Sequence, residues 1–131
     1  MKASMLFNQL FMSSVEKLQN ETKIKVIDAI KIARLVIKLA EAQRIVFDLK
    51  DNLFKEYSVI GHNTQGEVIF EEGKEISDEI KQEYINKIEE LFKSEIEIPK
   101  IKLSEESLSK IEINPLTAIF LMNLIDFPEE E

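Results

Sequence analysis

His62 is the only histidine in this chain of 131 residues, and it lies in the stretch VIGHNTQGEVIF, residues 59–70. An imidazole can serve as a general base or a metal ligand, but either role needs an activated nucleophile, an orienting carboxylate or further ligands. Its neighbours Asn63, Thr64 and Gln65 are good turn formers and poor metal ligands. Cysteine is absent, which removes thiolate catalysis, disulfides, iron–sulfur clusters and thiolate zinc sites. Glu67, Glu71 and Glu72 could contribute to a carboxylate-only cation site, yet the spacing of a calcium-binding loop is missing. HNTQG therefore reads as an exposed bend between two strands. The carboxylate pairs Glu71/Glu72, Glu89/Glu90 and Glu105/Glu106 would do hydrolytic chemistry only by converging in a cleft. With 25 Asp and Glu and a net charge of −8, they read as solvated surface. No GxGxxG, Walker A, HExxH or GxSxG motif occurs, and three glycines leave little for a phosphate-cradling loop. The expectation is a chain with no catalytic residues, no metal site and no cofactor, that is, not an enzyme.

Positive charge is concentrated at Lys23, Lys25, Lys31, Arg34 and Lys38. Residues 1–66 carry ten Lys and Arg against seven Asp and Glu, whereas residues 67–131 carry seven Lys against eighteen acids. A basic front and an acidic back can attract each other within one chain or between copies. Lys31, Arg34 and Lys38 are thus either a solvated stripe balanced by the acidic half or a docking stripe for an acidic partner. They are the candidate partner-binding residues. The overall sign disfavours direct nucleic-acid binding, which phosphate contacts would dominate. The acidic half could instead mimic DNA, although interspersed lysines dilute that mimicry.

These side chains must be positioned by helices, because so few Gly and Pro leave little irregular chain. The longest helix is expected from about Ile24 to Tyr57. Ile32, Leu35, Leu39, Ala42, Val46, Leu49 and Leu53 recur at alternating spacings of three and four. Ile30, Ala33, Ile37, Ala40, Phe47 and Phe54 follow the same rhythm on another side, interrupted by Arg44 and Asp51. A helix apolar on two sides is expected to be covered on both, within one fold or at a subunit interface. Before it, Phe7, Leu10, Phe11, Val15 and Leu18 make the stripe of a first helix over Ser4–Gln19, joined by a short antiparallel return. After it, a third helix over Ser77–Ser94 has Ser77 as N-cap, Asp78 and Glu79 in its first turn, and Tyr84, Ile85, Ile88, Leu91 and Phe92 as its apolar stripe.

Smaller elements fill the intervals. Alternation around HNTQG gives a hairpin, with Gly66 at the position needing positive φ. EIEIPKIKL, residues 95–103, has a two-residue period broken by Pro99, as in an edge strand or extended packing segment. Ser104 caps a helical turn, and Asn114-Pro115 opens a final helix to about Ile125. The fold class expected is mainly α: a compact helical domain on one long central helix, with a small β-hairpin and a short extended segment. At this length it is read as a single domain over residues 1–131, with a frayed acidic tail at 128–131. MKASMLFNQLFMSS opens like a weak signal peptide, but Asn8 and Gln9 interrupt its apolar run and no cleavage motif follows. It is also too short to span a membrane. The expectation is an intracellular protein with no membrane partner.

AIKIARLVIKL (29–39), FDLKDNLFKEY (47–57), ELFKSEIEIPKIKLSE (90–105) and NPLTAIFLMNLIDF (114–127) occur in an order that resembles a family of small uncharacterised proteins encoded by tailed phages and prophages of Gram-positive bacteria. That family carries a shorter turn where this chain reads EYSVIGHNTQG, and no functional residues transfer from it. The resemblance implies a viral protein in the host bacterial cytoplasm or associated with the virion. The function expected is non-enzymatic, through contacts with a protein partner or a second copy, in virion assembly or as an accessory factor. The alternative is an inhibitor of a bacterial defence system that binds a host protein or sequesters a signalling nucleotide, for which Lys31, Arg34, Lys38, Arg44 and Tyr57 are the available residues. A metal-dependent hydrolase is a third, less supported class.

Overall fold

A computed structural model describes residues 1–71 and 76–128. Glu72 and most of the acidic tail, residues 129–131, lie outside the described residues. The chain is mainly helical: α1 (Gln9–Gln19), α2 (Val26–Glu56), β1 (Val59–His62), β2 (Val68–Phe70), α3 (Asp78–Lys93), α4 (Glu105–Lys110) and α5 (Pro115–Leu121). A single-turn 3-10 helix, Ala3–Phe7, precedes them. Contacts divide the chain into two compact units, Met1–Gln43 with Glu95–Glu131, and Arg44–Ser94. The boundary between Gln43 and Arg44 falls within α2, which is continuous as its periodicity requires.

In the first unit, the helix expected from Ser4 is divided at Asn8. That residue is extended, at φ −76° and ψ 123°, and its side-chain oxygen accepts from the Leu10 and Phe11 amides. A short polar side chain that satisfies two free amides makes a better helix start than an interior residue, so α1 begins at Gln9. Ala3, Leu6, Phe11, Val15 and Leu18 are buried, as are Ile32, Leu35 and Leu39 of α2. The α1–α2 pair is antiparallel: Gln43 Nε2 donates to the Leu6 carbonyl at 2.6 Å, while Leu18 shares a cavity with Ile32 and Val36. Leu103, Leu121, Leu124 and Ile125 complete the buried set, and Phe120 meets Phe11 edge-on at 6.3 Å.

Residues 95–103 form no strand. The segment instead makes two single bridges, Lys2 with Glu95 and Ile101 with Ile125. Pro99 lacks the amide that a continuous ladder would need. The last helix ends at Leu121 rather than near Ile125. Leu124 and Ile125 turn back, and the Leu124 carbonyl accepts from the Ile101 amide at 2.9 Å.

The second unit packs around Tyr57, Val59 and Tyr84, with Leu53, Phe54, Val68, Phe70, Ile85 and Ile88 against them. The hairpin is antiparallel and bulged between Val59 and Gly61, with His62 opposite Val68. Gly66 takes φ +80°, and Asn63 Oδ1 accepts from the Gln65 and Glu67 amides at 2.9 Å, so HNTQG is a bend held by asparagine. Ser77 caps α3 by accepting from the Ile80 amide; Glu89–Lys93 pairs along its exposed side, whereas the Glu83–Lys87 pair sits against Tyr57.

Candidate interaction surface

The two apolar sides of α2 have different fates. At about 100° per residue, Ile32, Leu35, Leu39 and Val46 share one face, and all four are buried. The opposite face carries Val26, Ile30, Ala33, Ile37, Ala40 and, further along, Arg44 and Phe47. Ile30 is 46% exposed, Ile37 57% and Phe47 50%. Within the chain itself, among the described residues, the first side is covered apart from Leu49, whereas the second is open from Ile30 to Phe47 and covered only at Phe54, which packs against Tyr57 and Tyr84.

An unlooked-for polar clasp fixes the start of α2. Asp28, only 1% exposed, accepts from the Ser104 hydroxyl at 2.6 Å, the Ser107 hydroxyl at 2.5 Å and the Ser104 amide. Ser107 Oγ in turn accepts from the Lys25 amide at 3.2 Å, and Lys25 Nζ lies 3.0 Å from Glu106. The hydroxyls of Ser104 and then Ser107 hold the Asp28 carboxyl below the usual carboxylate range, against burial, which pulls it up. Sequence reasoning saw Ser104 only as a cap. The signal that could have found the clasp is an aspartate in the first turn of an amphipathic helix on the side otherwise reserved for Ile32 and Leu35.

The three basic candidates separate. Lys31 Nζ donates to the Lys102 carbonyl at 2.8 Å, so its ammonium is engaged within its own unit. Arg34 and Lys38 are exposed and have no ion-pair partner among the described residues. Glu41, one turn beyond Ile37, is likewise exposed and unpaired among them. Tyr57, one of the residues available for a nucleotide, is buried: its hydroxyl donates to Glu83 at 2.8 Å and Lys87 Nζ covers its ring. Arg44 is exposed.

His62 is exposed and sits beside the rings of Phe54 and Tyr84, with centroids at 5.9 and 6.3 Å. It borders a cavity of about 500 Å³ with Phe70, Lys81, Tyr84 and the carboxylates of Glu67 and Glu89. Two carboxylates against one ammonium suit an anion poorly. Tyr84 is fully buried, its hydroxyl has no hydrogen-bond partner among the described residues, and burial pushes its pKa up to about 12.

Among the described residues no three His, Asp or Glu side chains cluster so as to hold a metal ion, and no helix is long and apolar enough to cross a membrane. No family model, curated protein or solved structure matches the chain. The uncovered side of α2, with Arg34, Lys38 and Glu41 on it, is the feature that a functional reading must use.

Proposed function

We propose that this is a small non-enzymatic protein of a tailed phage or prophage, acting through protein–protein contacts in virion assembly or as an accessory factor. It works in the host bacterial cytoplasm or in the virion. One observation carries the reading: Ile30, Ala33, Ile37 and Ala40 form an uncovered apolar line on a helix whose other face is anchored in a core. Scattered exposed apolar residues need no explanation, but a contiguous line rimmed by charge is the usual form of a contact surface. Arg34 and Lys38 on its rim favour a partner with acidic groups beside its own apolar seam. The same surface would serve inhibition of a bacterial defence system, and the identity of the bound protein separates the two roles.

The test is affinity capture from bacterial lysate with the wild-type chain and with Ile37→Glu, both checked by circular dichroism. The expected outcome is a set of proteins retained by the wild type and lost by the variant. Identical retained sets would remove the α2 surface from the function.

A further inference from the structure

The open line on α2 has the geometry of a coiled-coil seam. Val26, Ile30, Ala33, Ile37, Ala40, Arg44 and Phe47 recur at spacings of four and three along one continuous helix. Its buried counterpart on the same helix is already occupied, so this seam faces outward. What it pairs with is constrained by its own charges. A parallel twin would set Arg44 against Arg44 in a core layer, which like-charge repulsion disfavours. An antiparallel twin centred between Lys38 and Leu39 sets Ile37 against Ala40 of the other copy, and Ala40 against Ile37. The next layer outward matches Ala33 with Arg44, a small side chain leaving room for a long one, and the following layer matches Ile30 with Phe47. In that register Arg34, beside the seam, faces Glu41 of the other copy on both sides of the two-fold axis. Sliding by one heptad in one direction puts Arg34 opposite itself, and in the other direction Glu41 opposite itself. The second slide also sets Arg34 opposite Asp48, but only the central register leaves no like-charged pair on this flank.

We infer that the occupant of this face is a second copy of the chain, paired antiparallel through α2 with Ile37 and Ala40 at the centre and Arg34–Glu41 contacts at the rim. The inference rests on the reading of this face as a contact surface and names its partner. Isologous pairing of this kind closes at two copies, so it yields a dimer rather than a fibre. Arg34 and Glu41 thereby gain the opposite charges that neither has among the described residues of its own chain.

Sedimentation equilibrium of the full chain tests this. The wild type is expected to dimerise, and Ile37→Glu to be monomeric with unchanged helicity. Arg34→Glu, which sets two like-charged contacts in place of two attractive ones, should weaken the dimer by roughly tenfold. The double exchange Arg34→Glu with Glu41→Arg should restore it. Because the chain lacks cysteine, mixed Ile37→Cys and Ala40→Cys chains should cross-link to each other in preference to themselves. A wild type that stays monomeric from micromolar to millimolar concentration overturns the inference, as does a double exchange no tighter than the single one, or a dominant Ile37→Cys self-cross-link. A monomeric chain whose captured partners still disappear with Ile37→Glu would sink the self-pairing and leave the contact surface standing.

Discussion

At the scale of single residues, two buried polar groups set opposite expectations. Asp28 is satisfied by both serine hydroxyls and an amide, and its charged form is favoured in the folded chain. Its contribution is therefore complete above the unfolded carboxylate range, about pH 4, and is lost as pH falls through the lower folded value. Asp28→Asn should lower the denaturant midpoint at neutral pH, and the gap from wild type should close in acid. Equal gaps at both pH values would remove the carboxylate from the account. Tyr84 is the reverse case, a phenol whose hydroxyl has no hydrogen-bond partner among the described residues. Tyr84→Phe removes an unsatisfied group and should leave stability unchanged or raise it by about 1 kcal/mol. Its raised pKa means that the folded chain holds the proton more tightly, so this contribution is full below the unfolded value of about 10 and declines as pH rises toward about 12. Spectrophotometric titration should show this tyrosine ionising late in the native chain and with an ordinary pKa in denaturant. Asp28 and Tyr84 were illegible in the sequence as a clasp and an orphan. Residues 76 and 79 positions downstream meet Asp28, and no local period announces such a pairing.

At the scale of elements, what repeats was readable and what ends was not. The limits of α2 fell within two residues of expectation because Ile32, Leu35, Leu39 and Val46 mark one buried face over many turns. Ser77, Ser104 and Asn114 each cap the helix that follows, as their types suggested. Asn8 acts the same way, but the apolar run on both sides of it masked the break. Residues 95–103 kept the alternation of a strand without a neighbouring ladder, because Pro99 and two isolated bridges decided their pairing. Which side of α2 lies open could not be read from its period, since both sides are apolar and only tertiary packing tells them apart. Substitution can show the difference: Leu35→Ala should cost about 2–5 kcal/mol, whereas Ile37→Ala should fall within about 0.5 kcal/mol, both read from urea midpoints on dilute protein. Equal costs would mean that the faces are misassigned. Asn8→Ala should cost about 1 kcal/mol and fray α1 from its first turn.

At the scale of the whole molecule, the first unit is assembled from two stretches distant in sequence, Met1–Gln43 joining Glu95–Glu131. The clasp at Asp28 is where that joining is chemical as well as apolar. On a ribosome adding about 5–20 residues per second, Ser104 follows Asp28 by roughly 4–15 seconds. During that interval the nascent aspartate has only water for company, and the Lys25 amide lacks the Ser107 hydroxyl. A chain stopped at Leu103 should accordingly show fast amide exchange at Lys25, whose N–H the Ser107 hydroxyl otherwise holds. The first unit can therefore close only after its downstream stretch has been made, and a stop codon before Ser104 would release a helix that has lost its lock.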